Sequence, residues 1–270
     1  MKRAAELFRE LDGQVDCFGM GGIDLSITVG DRKYRFREGV KLGKNAVKTP
    51  IVDGSGLKNT LEGRVVHYMN DTLGIPLAGK KVFLVSAADR FGMAAAFREC
   101  GTDSVYGDLM FAVGLPIPLR NLDFLNSIAK VLAPAICSLP FQLVYPTGAK
   151  QEEVEANPRV AKYYEWADII AGDWHYIKKH MPRRLFGKIV LTNTVTPNDV
   201  VELSRRGVYQ LVTTTPNLNG RSFGTNVVEA VVIAMAGKRP EEMTADDYNY
   251  WVEQLGFAPR VEFLQRDRTA

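Results

Sequence analysis

The stretch Asp53-Gly-Ser-Gly-Leu-Lys58-Asn-Thr60 sets a lysine five residues after a carboxylate, within a polar, glycine-bearing segment read as a loop. Such a pair exchanges a proton with a substrate once burial shifts the lysine pKa, and otherwise serves as an exposed ion pair. A second set of candidates follows the apolar runs of the chain. Ser86, Asp89 and Arg90 come after Val85; Gly107 and Asp108 after Tyr106; Tyr145, Thr147, Gly148 and Lys150 after Val144. Gly172, Asp173 and His175 follow Ala171; Asn193, Thr194 and Thr196 follow Leu191; Thr213, Thr214 and Thr215 follow Val212. Small hydroxyls, carboxamides and single charges at these exits suit a pocket for a polar small molecule better than they suit a set of helix caps. A third set, Gly220-Arg221-Ser222-Phe-Gly224-Thr225-Asn226, runs into an apolar helical pattern over residues 227–235. Free N–H groups at a helix start, with Arg221 beside them, suit a phosphate or carboxylate.

These residues need a scaffold that brings strand exits together. Continuous apolar runs at residues 82–85, 141–144, 168–171, 189–191 and 211–212 alternate with helical patterns at 91–100, 160–166 and 200–206. Buried strand followed by amphipathic helix, repeated, predicts an α/β fold with a doubly wound, mostly parallel, Rossmann-like sheet. In such a sheet every exit lies on one edge, and ligands bind outside it. Residues 105–106 read as a further strand and 122–131 as a long crossover helix. Thr196-Pro197-Asn-Asp199 and Thr244-Ala-Asp-Asp247 each place a hydroxyl, and then a carboxylate, where a helix start has unpaired N–H groups. The helix begun at Thr244 ends near Gly256 and is expected to pack back over the sheet or onto the N-terminal element.

The N-terminal part has another texture. A short helix to about Leu11 is followed by Ile23, Leu25, Ile27 and Val29 alternating with polar residues, then a hairpin return through Gly30-Asp31 to Tyr34 and Phe36. Gly19-Met-Gly21-Gly22 leads into this strand, whereas a dinucleotide motif leads from strand to helix, so the cluster reads as a turn or bulge. After the Asp53 segment a helix runs through Met69. The chain is thus expected to divide into a small α+β substrate or cap domain (1–78) and a Rossmann-like domain (79–270) whose C-terminal helices pack back.

Composition narrows the partners. Among 270 residues, 46% are hydrophobic and 24% charged, with a net charge of +3, which fits a globular chain rather than a disordered one. The basic runs around Lys178 and Arg205 are too short to predict nucleic-acid binding. No apolar run is long enough for a bilayer span and the N-terminus does not read as a signal peptide, so a cytoplasmic protein without a membrane partner is expected. Cys17, Cys100 and Cys137 are odd in number and far apart, which speaks for a reducing compartment, and neither they nor His67, His175 and His180 have metal-ligand spacing. A small-molecule substrate, a homodimer and no metal complete the expectation.

The runs Asp53-Gly-Ser-Gly-Leu-Lys58, Asp89-Arg-Phe-Gly-Met93, Gly107-Asp-Leu-Met-Phe111, Tyr145-Pro-Thr-Gly148, Leu191-Thr-Asn-Thr194 and Gly220-Arg-Ser-Phe-Gly-Thr-Asn226 resemble a group of bacterial proteins labelled quinate/shikimate 5-dehydrogenases. The resemblance covers nearly the whole chain from about Gly19. It implies a cofactor domain, a smaller substrate domain, and NAD- or NADP-dependent oxidation of a ring hydroxyl in a quinate- or shikimate-like carboxylate. It also implies a catalytic Lys58, paired with Asp53 or Asp89, and a nicotinamide beside Asn193 and Thr194. On this reading Ser86 and Arg90 meet the cofactor at the first exit. Thr213, Thr214, Arg221, Ser222, Thr225 and Asn226 complete the cofactor and anion contacts. At the first exit, where those enzymes carry a glycine-rich turn, this chain has Ser86-Ala-Ala-Asp89-Arg-Phe-Gly92, with one glycine. The alternative expectation is a non-redox enzyme or a sensor that binds a phosphorylated or carboxylated metabolite at the same edge.

Overall fold

The computed structural model describes residues 2–29, 32–112, 114–140 and 158–265. The expected strand at 141–144 and its polar exit, Tyr145 to Lys150, lie outside the described residues, as does the Gly30-Asp31 turn. Six strands form one sheet: β5 (Lys81–Leu84), β6 (Asp103–Tyr106), β7 (Ile169–Ala171), β8 (Ile189–Thr192), β9 (Gln210–Thr213) and β12 (Arg260–Phe263), in the order β12-β9-β8-β7-β5-β6. All pairs are parallel except β12 with β9, so the sheet is mostly parallel, as the strand-helix alternation predicts. The antiparallel edge strand β12 was missed in the sequence reading: residues 260–263 do alternate charge with apolarity, but over only four residues, with no strand–helix unit around them.

Both faces of the sheet are covered, which is why its central strands β7 and β8 are mostly apolar and buried along their length. Successive side chains of β5 point to opposite faces. Val82 and Leu84 join a core with Val65, Val66 and Met69 of α3 (Ser55–Asp71) and Met93 and Phe97 of α4 (Phe91–Glu99). Phe83 joins the opposite core with Tyr164 of α7 (Pro158–Trp166) and with Trp174 and Ile177 of α8 (Trp174–His180). The chain moves from β5 outward to β6, then crosses to the other side of β5 to begin β7. The helices that follow β5 and β7 therefore diverge, and a crevice opens between the two exits.

The first part of the chain lies against that crevice. It holds α1 (Lys2–Leu11), the β1–β4 pair (Phe18–Gly19 with Ile51–Val52), the β2–β3 hairpin (Ser26–Val29 with Arg32–Arg35) and α2 (Arg37–Gly43). The hairpin packs on α6 (Leu122–Ser138), the crossover helix, which runs beyond its expected end at residue 131. A third core joins Val52, Leu57 and Leu61 to Val228, Val232 and Ile233 of α10 (Thr225–Ala236) and Tyr248 and Val252 of α11 (Ala245–Gln254). The last helix thus packs on α3 and α10. Both capping boxes form, Thr196 with Asp199 at α9 (Pro197–Arg205) and Thr244 with Asp247 at α11. Among the described residues no helix is long and apolar enough to cross a membrane.

Candidate functional site

Lys58 lies in the first turn of α3, so the segment expected to be a loop is helical from Ser55 onward. Its glycines are what the geometry requires. Gly54 has φ +93°, and a Cβ there would stand 2.8 Å from the Asn226 amide nitrogen. A Cβ on Gly56 would stand 2.3 Å from both a Glu229 oxygen and the Tyr248 hydroxyl. The starts of α3 and α10 therefore meet almost backbone to backbone. Glu229 fills the space between them: one oxygen accepts from Gly54 N (2.6 Å), the other from Gly56 N (3.2 Å) and the Tyr248 hydroxyl (2.8 Å). Burial, with help from the Asp53 charge, pushes its pKa up to about 7.

From this base Lys58 reaches across to the exit of β5. Its ammonium donates to both oxygens of Asp89, at 2.9 and 3.0 Å, and stands 3.6 Å from Asp24. Burial opposes that charge, but Asp24 and Asp89 outweigh it and push the lysine pKa up. Lys58 is therefore a firmly held cation rather than a base. Asp24 is the group poised near neutrality. Burial raises its pKa to about 7 against the pull of Lys58, with Asp89, Asp53 and Asp173 adding repulsion.

Asp53 does not face a substrate as a free acid. One oxygen accepts from Leu25 N (2.6 Å) and Ser26 N (3.1 Å), the other from Ser55 N (3.0 Å), so the carboxylate ties the Asp24 segment to the start of α3. Arg90, expected at a cofactor, is buried with its guanidinium held by Glu62, one helical turn beyond Lys58, and by Asp173 at 3.1 Å. Asp173 also caps α8 through the His175 and Tyr176 amides. Both arginine and aspartate thus fasten the β5 and β7 exits to α3.

The remaining expected contacts divide. Asn193, Thr194, Thr225 and Asn226 line the same polar hollow as Lys58, Asp24 and His175. Thr213 and Thr214 do not: both are buried, and Thr213 bonds the Thr215 carbonyl and the hydroxyl of Ser222, itself buried. This threonine run stitches β9 to β11 (Arg221–Ser222), which pairs with β10 (Asn217–Leu218). Arg221 is exposed, stacked on Phe223 with its guanidinium carbon 5.0 Å from the ring centroid, outside the hollow.

A second, mostly apolar lobe opens on the far side of Asp24 and Asp89, which line both lobes. It runs beneath α6 and the hairpin and reaches Ser86 and Asp108. Asp108, first residue of α5 (Asp108–Ala112), accepts from Ala87 N (3.1 Å) and Ala88 N (2.8 Å). Burial pushes its pKa up to about 6 despite those bonds. This bears on a dinucleotide, whose pyrophosphate needs free N–H groups at the first exit. Here Ala87 and Ala88 donate to a carboxylate of the chain itself, Asp89 brings another, and Gly92 carries α3 on its carbonyl, 3.1 Å from where a Cβ on Gly63 would sit. The residues present do not fit a pyrophosphate at that turn. Nor, among the described residues, do three or more His, Cys, Asp or Glu side chains gather as metal ligands.

Asp24, Glu62 and Glu229 are members of this site that sequence reasoning missed. Each had a signal. Asp24 is a lone charge between Ile23 and Leu25, Glu62 shares a helix face with Lys58 at i, i+4, and Glu229 interrupts an otherwise apolar helix.

No curated protein matches the chain. Solved structures with some likeness include a protein assigned as a malic enzyme (malate oxidoreductase), at 14% identity and TM-score 0.32 over 81% of this chain; the match spans 63% of that protein's length. Others are GanP, a glucose-galactose binding protein from Geobacillus stearothermophilus (10%, TM-score 0.34, 97% of this chain and 81% of that one), and a galactofuranose binding protein (13%, 0.31, 93% and 82%). At such scores nothing about activity follows. Residues 1–53 match a second family, described as a domain of unknown function (DUF8753). The two family matches part at the start of α3, where Asp53 joins the N-terminal segment to the helix that carries Lys58. Residues 56–264 take in Lys58, Asp89, Asp108 and all six strands of the sheet, and over that span the chain belongs to the family described as a domain of unknown function (DUF8754).

Proposed function

We propose that the chain is an enzyme that moves a proton on and off a carbon next to a carbonyl group of a small molecule, without a dinucleotide. One observation carries this reading: Lys58 stands between Asp89 and Asp24 at the switch point of the sheet, where two lobes of a cleft meet. A general base works best with a pKa near the working pH, and Asp24, at about 7, has one. Lys58, held cationic by Asp89, faces the oxygen on which negative charge develops when the proton leaves. Asp53 keeps Asp24 in place through the Leu25 and Ser26 amides. Proton exchange tests this: wild-type protein in D2O, given a panel of oxo and hydroxy-oxo compounds, is expected to label at least one at the carbon next to its carbonyl, and Asp24→Asn to label none. Labelling by Asp24→Asn at the wild-type rate would sink the role of Asp24.

A second reading, the NAD- or NADP-dependent dehydrogenase, draws support from two observations. Lys58 bonds Asp89, one of the two carboxylates that the resemblance offers it, and Asp108 stands at the tip of β6, where a dinucleotide fold keeps its ribose acceptor. Its test is thermal. A saturable rise in Tm with NAD or NADP, lost in Asp108→Asn, would establish it in place of the first.

A further inference from the structure

The apolar lobe has an unusual polar end. Its walls are Ile27 of the hairpin, Leu109 of α5, and Leu125, Ile128, Leu132 and Ile136 of α6, and its end holds Asp24, Asp89 and Asp108. No lysine, arginine or histidine is found among the described residues that line it. The adjacent cation, Lys58, is already shared between Asp89 and Asp24. A second observation is independent of charge. Ser86 is only 8% exposed, lines the same lobe, and its hydroxyl has no hydrogen-bond partner among the described residues. Buried hydroxyls in folded proteins are normally bonded. Asp108 accepts from the Ala87 and Ala88 amides and from its own, which leaves its two oxygens one further lone pair between them. Surplus acceptors and a waiting hydroxyl, closing an apolar chamber, are complementary to a head group that carries only donors. An ammonium is such a group, and it also offsets the excess of carboxylates.

We infer that the cleft takes an amphipathic amine, with its ammonium among Asp24, Asp89, Asp108 and Ser86 and its apolar body against α6. The inference names the substrate class for the acid–base site and rests on that reading for the place where proton transfer occurs. A carboxylate-bearing substrate would set its charge against three others.

Calorimetry with the full chain and three probes of one shape, cyclohexylmethylamine, cyclohexylmethanol and cyclohexanecarboxylate, tests it. The amine is expected to bind about tenfold or more tighter than the alcohol, as one charge-assisted bond requires, and the carboxylate not at all. Amine affinity should fall as pH drops from about 8 to 5, because Asp24 (facing Lys58, Asp89, Asp53, Asp173 and Tyr176) and Asp108 (facing Asp89 and Tyr176) take up protons, while alcohol affinity stays level. Asp24→Asn and Asp108→Asn, each checked for folding by circular dichroism, should weaken the amine selectively. Carboxylate binding as tight as amine binding, or no binding of any probe by folded wild type, overturns the inference. Carboxylate binding that Lys58→Met abolishes would do so while leaving the acid–base reading intact. Selective amine binding, with carbon exchange unchanged in Asp24→Asn, would instead leave the inference and remove that reading.

Discussion

A charge taken out of water must be matched, and the side chains around Lys58 show what happens when the match is nearly complete. Arg90 and Glu62 are fully buried and face each other, and burial still pushes the Glu62 pKa up against the arginine's pull. Replacing one partner leaves the other uncompensated, which typically costs about 3–5 kcal/mol. Glu62→Gln is therefore expected to lower the unfolding free energy by that order, read as a lower urea midpoint at unchanged m-value; a loss below about 1 kcal/mol would mean that Asp173 alone satisfies Arg90. At this scale the sequence was partly legible. Lys58 and Asp89 could be picked out because a lysine and a strand-exit carboxylate are conspicuous by type. Asp24 could not be paired with them, since nothing local says that residue 24 returns to residue 58. Thr213 and Arg221 were conspicuous by type as well, yet one is buried in backbone bonds and the other stacked on an exposed ring.

Between elements, the contact that sets the site is the approach of α3 to α10. Glycine is needed twice there. Gly56→Ala would press a methyl group into Glu229 and Tyr248, both held by hydrogen bonds, and is expected to cost about 1–3 kcal/mol with loss of site geometry. Thr196→Ala removes a capping bond at a residue that lines neither lobe of the cleft and should cost about 1 kcal/mol while leaving ligand binding unchanged. A Gly56→Ala protein as stable as wild type would show that the two helix starts have slack. The contrast explains which elements could be read in advance. Strands and capped helices announce themselves through local rules, period and cap chemistry. The start of α3 obeys no such rule, because Gly54-Ser-Gly is a helix start only in the presence of a second helix whose glutamate binds its amides. Without that partner the same residues read as a loop.

For the whole molecule, acids with shifted pKa values, at the surface and in the interior, fix how stability varies with pH. Asp12, Asp199 and Asp247 have pKa values below the ordinary carboxylate value, through backbone bonds in the first case, Thr196 and Lys178 against burial in the second, and Lys238 and Thr244 in the third. Their stabilisation is present above the ordinary carboxylate pKa and is lost as pH falls below it. Glu229, Asp24 and Asp108 have the opposite sign. With folded values near 7, 7 and 6, they favour the protonated folded form, so their contribution is complete below the ordinary pKa and is lost as pH rises toward those values. Taken together, these shifts predict an unfolding free energy that climbs through about pH 4 and then declines between about pH 4.5 and 7. Glu229 alone, raised from 4.5 to about 7, accounts for a decline on the order of 3 kcal/mol. Urea titrations at half-unit steps should show that maximum on the acid side, and Glu229→Gln should flatten the decline. A wild-type curve level or rising from pH 5 to 7 would mean that these carboxylates are ionised without cost. The complex with a bound amine should behave in the reverse manner: a cation beside Asp24 and Asp108 lowers their pKa values, so the ligand's stabilisation grows over the same pH range in which the free protein weakens.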